Sequence, residues 1–309
     1  MALALSKRLG GLSMAAEATR RSSLPATGLL LIGMGLGQLE GMTQEALQAA
    51  SAADHRHYEA YTALWPESEL VRLEERVGPI QRVMRPEVEE PDELLALAST
   101  SLVALLVVGD PLQATTHIDL QLRALDAGLH CEVFHGLSIT TLVTGAVGLS
   151  NYKFGRQTTF TYPYGGWVAT SPLEVVAANF AQNLHTLALL DLDPTGQGTG
   201  NQRPMTPGDA ANAMRLMWSK LSDVDPEQGA NGDLIHTSKH VMIQRFLEQP
   251  IDDVRVVLCS DMGTPDQTMI TTTVAGLEEE HGGRLNCLVF PAATGDIEEK
   301  ALARWQRGA

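Results

Sequence analysis

Apolar residues along this chain gather in short runs separated by segments of helical period. The clearest run is Leu102–Val108, LVALLVV, seven apolar residues in a row. Such a run fits a strand covered on both faces. It stops abruptly at Gly109-Asp110-Pro111. Leu29–Ile32 reads as a second short buried strand, and it runs into Gly-Met-Gly-Leu-Gly. Thr43 is placed to cap a helix running through Glu45, Leu47 and Ala50. His55–Tyr58 reads as a strand, and Glu67–Arg76 has helical period with Leu70 and Leu73 apolar. Pro86 and Pro91 bracket an acidic segment, after which Pro91-Asp92-Glu93 opens a helix through Leu97. Ile118, Leu122 and Leu125 recur at helical spacing until Gly128 stops them. Cys131–Phe134 is a further strand. Strand, helix, strand in this rhythm predicts a parallel sheet with right-handed crossovers.

Tyr162–Pro172, YPYGGWVATSP, is rich in turn residues and marks the expected domain boundary. Beyond it, Thr186–Leu190, Val254–Cys259, Met269–Val274 and Leu285–Phe290 read as strands. Pro207–Leu221 reads as a helix and Asp223–Asp233 as an exposed loop. The expectation is an α/β protein with an N-terminal α/β domain over 28–163 and a C-terminal α/β domain over 164–300. Residues 1–27 would be an extension and 301–309 a tail. No repeat of fixed period is present.

The length of 309 residues suits two domains, and 44% apolar against 19% charged residues suffices for a packed core. Asp plus Glu number 37 against 22 Lys plus Arg, a formal charge of −15. That balance disfavours direct binding to nucleic acid or to an anionic membrane surface. No apolar run approaches a membrane span of ~18 residues. Cys131, Cys259 and Cys287 lie in strand-like segments without CxxC spacing, as reduced thiols of a cytoplasmic protein do. The first 27 residues hold Lys7, Arg8, Arg20 and Arg21 against one acid, Glu17, a weak likeness to a transit peptide. Met14 is an alternative start.

The glycine turn has three readings. A dinucleotide fingerprint needs GxGxxG, whereas Gly33, Gly35 and Gly37 are spaced GxGxG. Glu59 lies where a ribose-binding acid would, a cheap match in an acidic chain. The turn could instead join strand to helix without a ligand, or let a flat ligand approach bare backbone. The second motif lies at the carboxyl end of the strongest strand, where open parallel sheets bind ligands. There Asp110 is followed by Thr115, Thr116, His117 and Asp119 near a helix start, a dense polar cluster.

Gly-Met-Gly-Leu-Gly, then VVGDPLQATTHIDL, then Tyr152-Lys153-Phe154-Gly155 together resemble the diphthine synthase family. The likeness continues through Leu184–Asp191 and Gly263 with Asp266-Gln267, and covers Leu29 to Pro291. It implies a tetrapyrrole-methylase-like fold of two α/β domains with the donor in the cleft between them. It also implies S-adenosylmethionine as cofactor, a homodimer, and methylation of a modified histidine side chain on translation elongation factor 2, in the pathway to diphthamide. Carried over, the donor contacts fall on Leu36, Asp110, Gln113, Ser138, Ile139, Leu190, Met262 and Asn286. Gln113 stands where the family has Gly, and Asn286 where many members have His. His117 or Asp119 would orient or deprotonate the acceptor amine, from their place after the GDP motif. No metal is expected: His236 and His240 are four apart, but an exposed polar helix explains them. His55 and His57 read as surface or edge residues. Two alternatives remain open, a tetrapyrrole or ribosomal RNA methyltransferase of the same fold and a non-catalytic relative.

Overall fold

A computed structural model of the chain describes residues 24–113, 115–223 and 234–307. Most of the expected 1–27 extension, Ala114, most of the expected Asp223–Asp233 loop and the His236 side chain lie outside the described residues. The chain divides into two compact units. The first ends at Ser138 and also takes in Gly198–Gly200; the second holds Ile139–Gln197 and the chain from Asn201.

The first unit is built on an all-parallel sheet. Its strands are β1 (Gly28–Gly33), β2 (His55–Glu59), β3 (Gln81–Val83), β4 (Leu102–Val107) and β5 (Cys131–Phe134), in the order β3-β2-β4-β1-β5. β1 and β4 pair from Gly28↔Leu102 to Gly33↔Val107, and every residue of both is buried. Their near-continuous apolar sequence follows from covering on both faces. Alternate residues serve opposite layers. Leu30, Ile32, Ala104 and Leu106 pack with Ala46, Ala49 and Leu73, while Leu29, Leu31, Val103 and Leu105 pack with Leu94, Leu120 and Ala124. The covering helices are α1 (Gln44–Ala52), α2 (Glu67–Val77), α3 (Arg85–Glu89), α4 (Asp92–Ala98) and α5 (Thr115–Asp126). Thr43 caps α1 as expected, its hydroxyl accepting from the Ala46 N–H at 3.1 Å.

The helix expected from Ile118, Leu122 and Leu125 forms, and these residues are 40%, 55% and 51% exposed on it. The buried face is the stripe of His117, Leu120 and Ala124, which carries fewer large apolar side chains and so gives a weaker pattern. His57 is not at an edge: β2 lies between β3 and β4, and the ring is buried. Burial, then His55, holds His57 below the ordinary histidine range.

The second unit carries a mixed sheet of β6 (Thr158–Phe160), β7 (Thr186–Leu190), β8 (Arg255–Ser260), β9 (Thr268–Thr273) and β10 (Asn286–Phe290). The order is β6-β7-β10-β8-β9; β6 runs parallel to β7 and the other neighbours are antiparallel. Its helices are α6 (Ile139–Ala146), α7 (Ser171–Ala181), α8 (Pro207–Ser222), α9 (Leu234–Leu247) and α10 (Asp296–Ala303). The unit begins at Ile139, ahead of the boundary expected at 163/164, because Val143 and Val147 pack with Leu187, Val257 and Val289. The 301–309 stretch is not wholly a tail. Leu302 is buried, and Trp305 donates to the Val147 carbonyl and accepts from the Thr271 N–H. Cys259 and Cys287 sit opposite each other on β8 and β10, both buried, while Cys131 is half-buried.

One acid ties this unit together. Glu298 of α10 accepts from the Ser150 N–H at 2.9 Å and the Gly295 N–H at 3.0 Å, and pairs with Lys153 Nζ at 3.3 Å. His185 Nε2 lies 3.1 Å from Glu298 Oε1, and His185 Nδ1 accepts from the Ala292 N–H at 3.0 Å. Burial, then Lys153, lowers the His185 pKa, so the ring is neutral with its proton on Nε2 facing Glu298. Burial opposes ionisation of Glu298, but its hydrogen bonds prevail and hold its pKa at about 2. Among the described residues, no helix is long and apolar enough to cross a membrane, and no group of three His, Cys, Asp or Glu could hold a metal ion.

A depressed carboxylate pKa stabilises the fold above the unfolded-state value near 4.5 and loses that contribution as pH falls toward about 2. Thermal melts between pH about 5 and about 2.5 should therefore fall more steeply for the wild type than for Glu298→Gln. Parallel slopes would contradict this role for Glu298.

Candidate active site

The site of the first unit begins where β1 and β4 end. The connection leaving β1 crosses toward β2, and the one leaving β4 crosses toward β5, so their carboxyl ends form a topological switch point. The two sequence motifs meet there. Gly35 and Gly109 bridge in antiparallel fashion, the Gly109 N–H donating to the Gly35 carbonyl at 2.9 Å and the Gly35 N–H to the Gly109 carbonyl at 3.3 Å. Both take positive φ, +69° and +78°, which favours glycine. Trp65 Nε1 also donates to the Gly35 carbonyl, at 3.3 Å.

A third segment, after β5, closes on the same place. A Cβ on Gly33 would lie 2.5 Å from the Gly136 nitrogen and 2.7 Å from the Gly109 oxygen. Gly33, Gly109 and Gly136 therefore bring three strand ends into backbone contact. Asp110 fastens the end of β4 to the segment after β5. One carboxylate oxygen lies 2.7 Å from His135 Nδ1 and accepts from the Gly136 N–H at 3.3 Å; the other accepts from the Leu112 N–H at 2.9 Å. The result is a surface of carbonyl and N–H groups with little side chain and a carboxylate behind it. Such a surface suits close approach of a flat, positively charged ligand.

The other expected donor contacts divide between the units. In the first, Leu36 is half-buried after Gly35, Gln113 is exposed at the end of a turn, and Ser138 is buried beyond the Gly136 crossing. In the second, Ile139 opens α6, and Leu190 and Met262 are buried. Asn286 begins β10 opposite Ser260 and next to the Cys287↔Leu189 pair, so Leu190, Met262 and Asn286 gather at one end of that sheet. The Asn286 side-chain oxygen accepts from the Ser260 hydroxyl at 2.7 Å and the Gly283 N–H at 2.8 Å; its amide donates to the Met205 carbonyl at 3.3 Å.

The two candidate catalytic residues are not brought together. Asp119 is on the outer face of α5, 61% exposed, and pairs with Arg123 at 2.7 Å. A solvated carboxylate with its own cation is poorly placed to receive an acceptor. His117 is on the inner face, 0% exposed, with Nε2 3.1 Å from Glu59 Oε2. That approach is misaligned for a hydrogen bond, and both ring nitrogens lack a hydrogen-bond partner among the described residues. Glu59, which closes β2, enters the sequence reading only as a match to a ribose-binding acid, and His135 does not enter it at all.

The tetrapyrrole (corrin/porphyrin) methylase family matches residues 28–278. The diphthine synthase of Methanospirillum hungatei is 36% identical over 166 residues, 53% of this chain and 66% of that protein. The diphthine synthase of Methanothermobacter thermautotrophicus is 33% identical over 276 residues, 89% of this chain and 94% of that protein. A crystal structure of diphthine synthase superposes with a TM-score of 0.71 at 26% identity, covering 90% of this chain and 95% of that one. Some curated relatives thus match over about two thirds of their own length and others over nearly all of it.

The three-way glycine contact yields a stability test. Gly33→Ala forces a methyl against the Gly136 backbone and should cost about 1–3 kcal/mol, the usual penalty of overpacking. Gly41→Ala, where a Cβ meets nothing within 4 Å, is the control and should melt within a degree or two of wild type. Equal melting of the two variants in a denaturant titration would contradict the contact.

Proposed function

Because the chain belongs to the tetrapyrrole methylase family and, within it, to the diphthine synthases, we propose that it methylates the amino group of the modified histidine side chain of translation elongation factor 2, using S-adenosylmethionine. The reading rests on the Gly35–Gly109 bridge, which gives the two motifs one shared surface at the sheet's switch point.

When bound, the donor supplies an electrophilic methyl on a cationic sulfur. The protein's part is placement. Gly33 and Gly136 hold backbone where a side chain would intrude, and Asp110 ties the segment after β4 to the one after β5 while adding negative charge behind the cation. Leu36, Gln113 and Ser138 would complete this wall; the family likeness also assigns donor contacts to Ile139, Leu190, Met262 and Asn286, which belong to the second unit. An α-amino group with a pKa near 8 is roughly one-tenth neutral at pH 7, so the reaction can draw on amine already deprotonated. Holding that amine in line with the methyl can lower the barrier by roughly 7–11 kcal/mol. The acidic balance of the chain favours a protein acceptor over ribosomal RNA. The expected homodimer is supported by the exposed Ile118, Leu122 and Leu125 stripe on α5, since single-helix apolar faces of this kind mark association surfaces.

Purified protein with S-adenosylmethionine and elongation factor 2 bearing the unmethylated precursor should yield mass shifts in steps of one methyl group. Asp110→Ala, which releases His135 and the Gly136 and Leu112 N–H groups, should lower turnover at least about a hundredfold and weaken donor binding by calorimetry. No mass shift with the wild type would refute the assignment. Light scattering after gel filtration should show a dimer for the wild type and a monomer for Leu122→Glu; identical masses would remove α5 from the interface.

A further inference from the structure

Four polar side chains of the first unit, Glu59 beside His117 and Arg85 over Tyr61, leave buried polar atoms without partners, and the Glu59 charge acts on Tyr61. Glu59 ends β2, Tyr61 lies two residues beyond, Arg85 opens α3 and His117 lies on the inner face of α5. Glu59 and His117 are wholly enclosed and Tyr61 is 5% exposed. Glu59 Oε1 accepts from the Thr62 N–H at 3.0 Å. Glu59 Oε2, the Tyr61 hydroxyl, Arg85 Nε and both His117 nitrogens have no hydrogen-bond partner among the described residues. The Arg85 guanidinium stands 5.3 Å from the Tyr61 ring centre and 3.6 Å from Glu89. Burial, then Glu59 and Glu89, pushes the Tyr61 phenol far above its ordinary range, so it is a proton donor at neutral pH.

The place of the cluster is as telling as its composition. β2 pairs with β4 up to Tyr58↔Leu106, so Glu59 lies at the carboxyl edge of the sheet, one strand from the Gly109 turn. Native interiors rarely leave several polar atoms unpaired at one point, and such a convergence marks a place for a ligand or ordered water. The unpaired set is mixed. Glu59 Oε2 accepts, the Tyr61 hydroxyl and Arg85 Nε–H donate, and His117 can do either. A purely anionic ligand would meet Glu59, and a purely cationic one would meet Arg85. A group bearing both charges satisfies all four. Arg85 is covered by the Gly198–Gly200 segment: its N–H donates to the Gly198 carbonyl at 3.1 Å, and a Cβ on Gly198 would lie 2.7 Å from Arg85 Nε. Gly198 holds φ at +65°.

We propose that Glu59, Tyr61, Arg85 and His117 form the acceptor subsite, built for a zwitterionic amino-acid head with its amine toward Glu59 and His117 and its carboxylate toward Tyr61 and Arg85. This deepens the methyltransferase reading above and rests on it. The subsite positions the acceptor and leaves donor binding to the glycine surface.

Steady-state kinetics with the precursor-bearing factor provide the first arm. Arg85→Gln and Tyr61→Phe should raise KM for the factor at least about tenfold, with kcat within about threefold and the calorimetric Kd for S-adenosylmethionine within about twofold. Arg85→Lys should recover part of the loss. Unchanged KM in variants that melt like wild type would overturn the subsite. The second arm does not depend on turnover. With the donor site saturated by S-adenosylhomocysteine, L-norvaline should move the His117 ring nitrogen resonances of the wild type and leave those of Arg85→Gln in place. No movement in the wild type, or movement with inorganic phosphate instead, would overturn the zwitterion assignment. A wild type that never methylates the factor but passes the norvaline titration would refute the parent reading and uphold the subsite.

Discussion

Three strand ends of the first unit approach until no side chain fits between them, and the rest of the candidate site depends on that spacing. Gly33, Gly109 and Gly136 leave backbone against backbone, and the Asp110 carboxylate reaches across to hold the last of them. Steric exclusion, more than any charged group, thus shapes the surface. A single methyl at Gly33 or Gly136 would separate the motifs.

Much of the architecture was legible because it lies in strong periodic signals. The Leu102–Val107 run, the Thr43 cap and the Gly128 stop between α5 and β5 all sit where local pattern and tertiary environment agree. The pattern says less where one helix carries two stripes. On α5 the larger apolar residues, Ile118, Leu122 and Leu125, face outward, and the core takes His117 with small Ala124 instead. Periodicity ranks faces by hydrophobicity and cannot register a buried histidine that lies against a glutamate at the end of β2. Short elements also escaped: β3, β6 and α3 have three to five residues, too few to show a period.

The site was legible as motifs but not as roles. Asp110 at the rim accepts from the Gly136 and Leu112 N–H groups and lies against His135, so its oxygens hold the loops around the site. His117 and Asp119, adjacent in the motif, occupy opposite faces of one helix. Glu59 was discounted as a chance match to a ribose-binding acid, yet it is buried beside His117. An unpaired buried group costs about 1–3 kcal/mol, so this corner is held against a penalty that the glycine surface does not share. Recognition of an acceptor and of a donor would then draw on different physics, electrostatic pairing for one and bare backbone for the other.

The second unit has its own keystone, Glu298, and the keystone comes late in the chain. Ser150 and Lys153 lie far upstream, and His185 waits with its Nε2 proton for the same carboxylate. During synthesis those groups emerge long before their acid does. The second sheet can pair and its helices can pack, yet the loop after α6 and the approach to β7 stay unfastened until α10 leaves the ribosome. Fastening of this half therefore waits for α10, and does not follow from the order in which its strands appear.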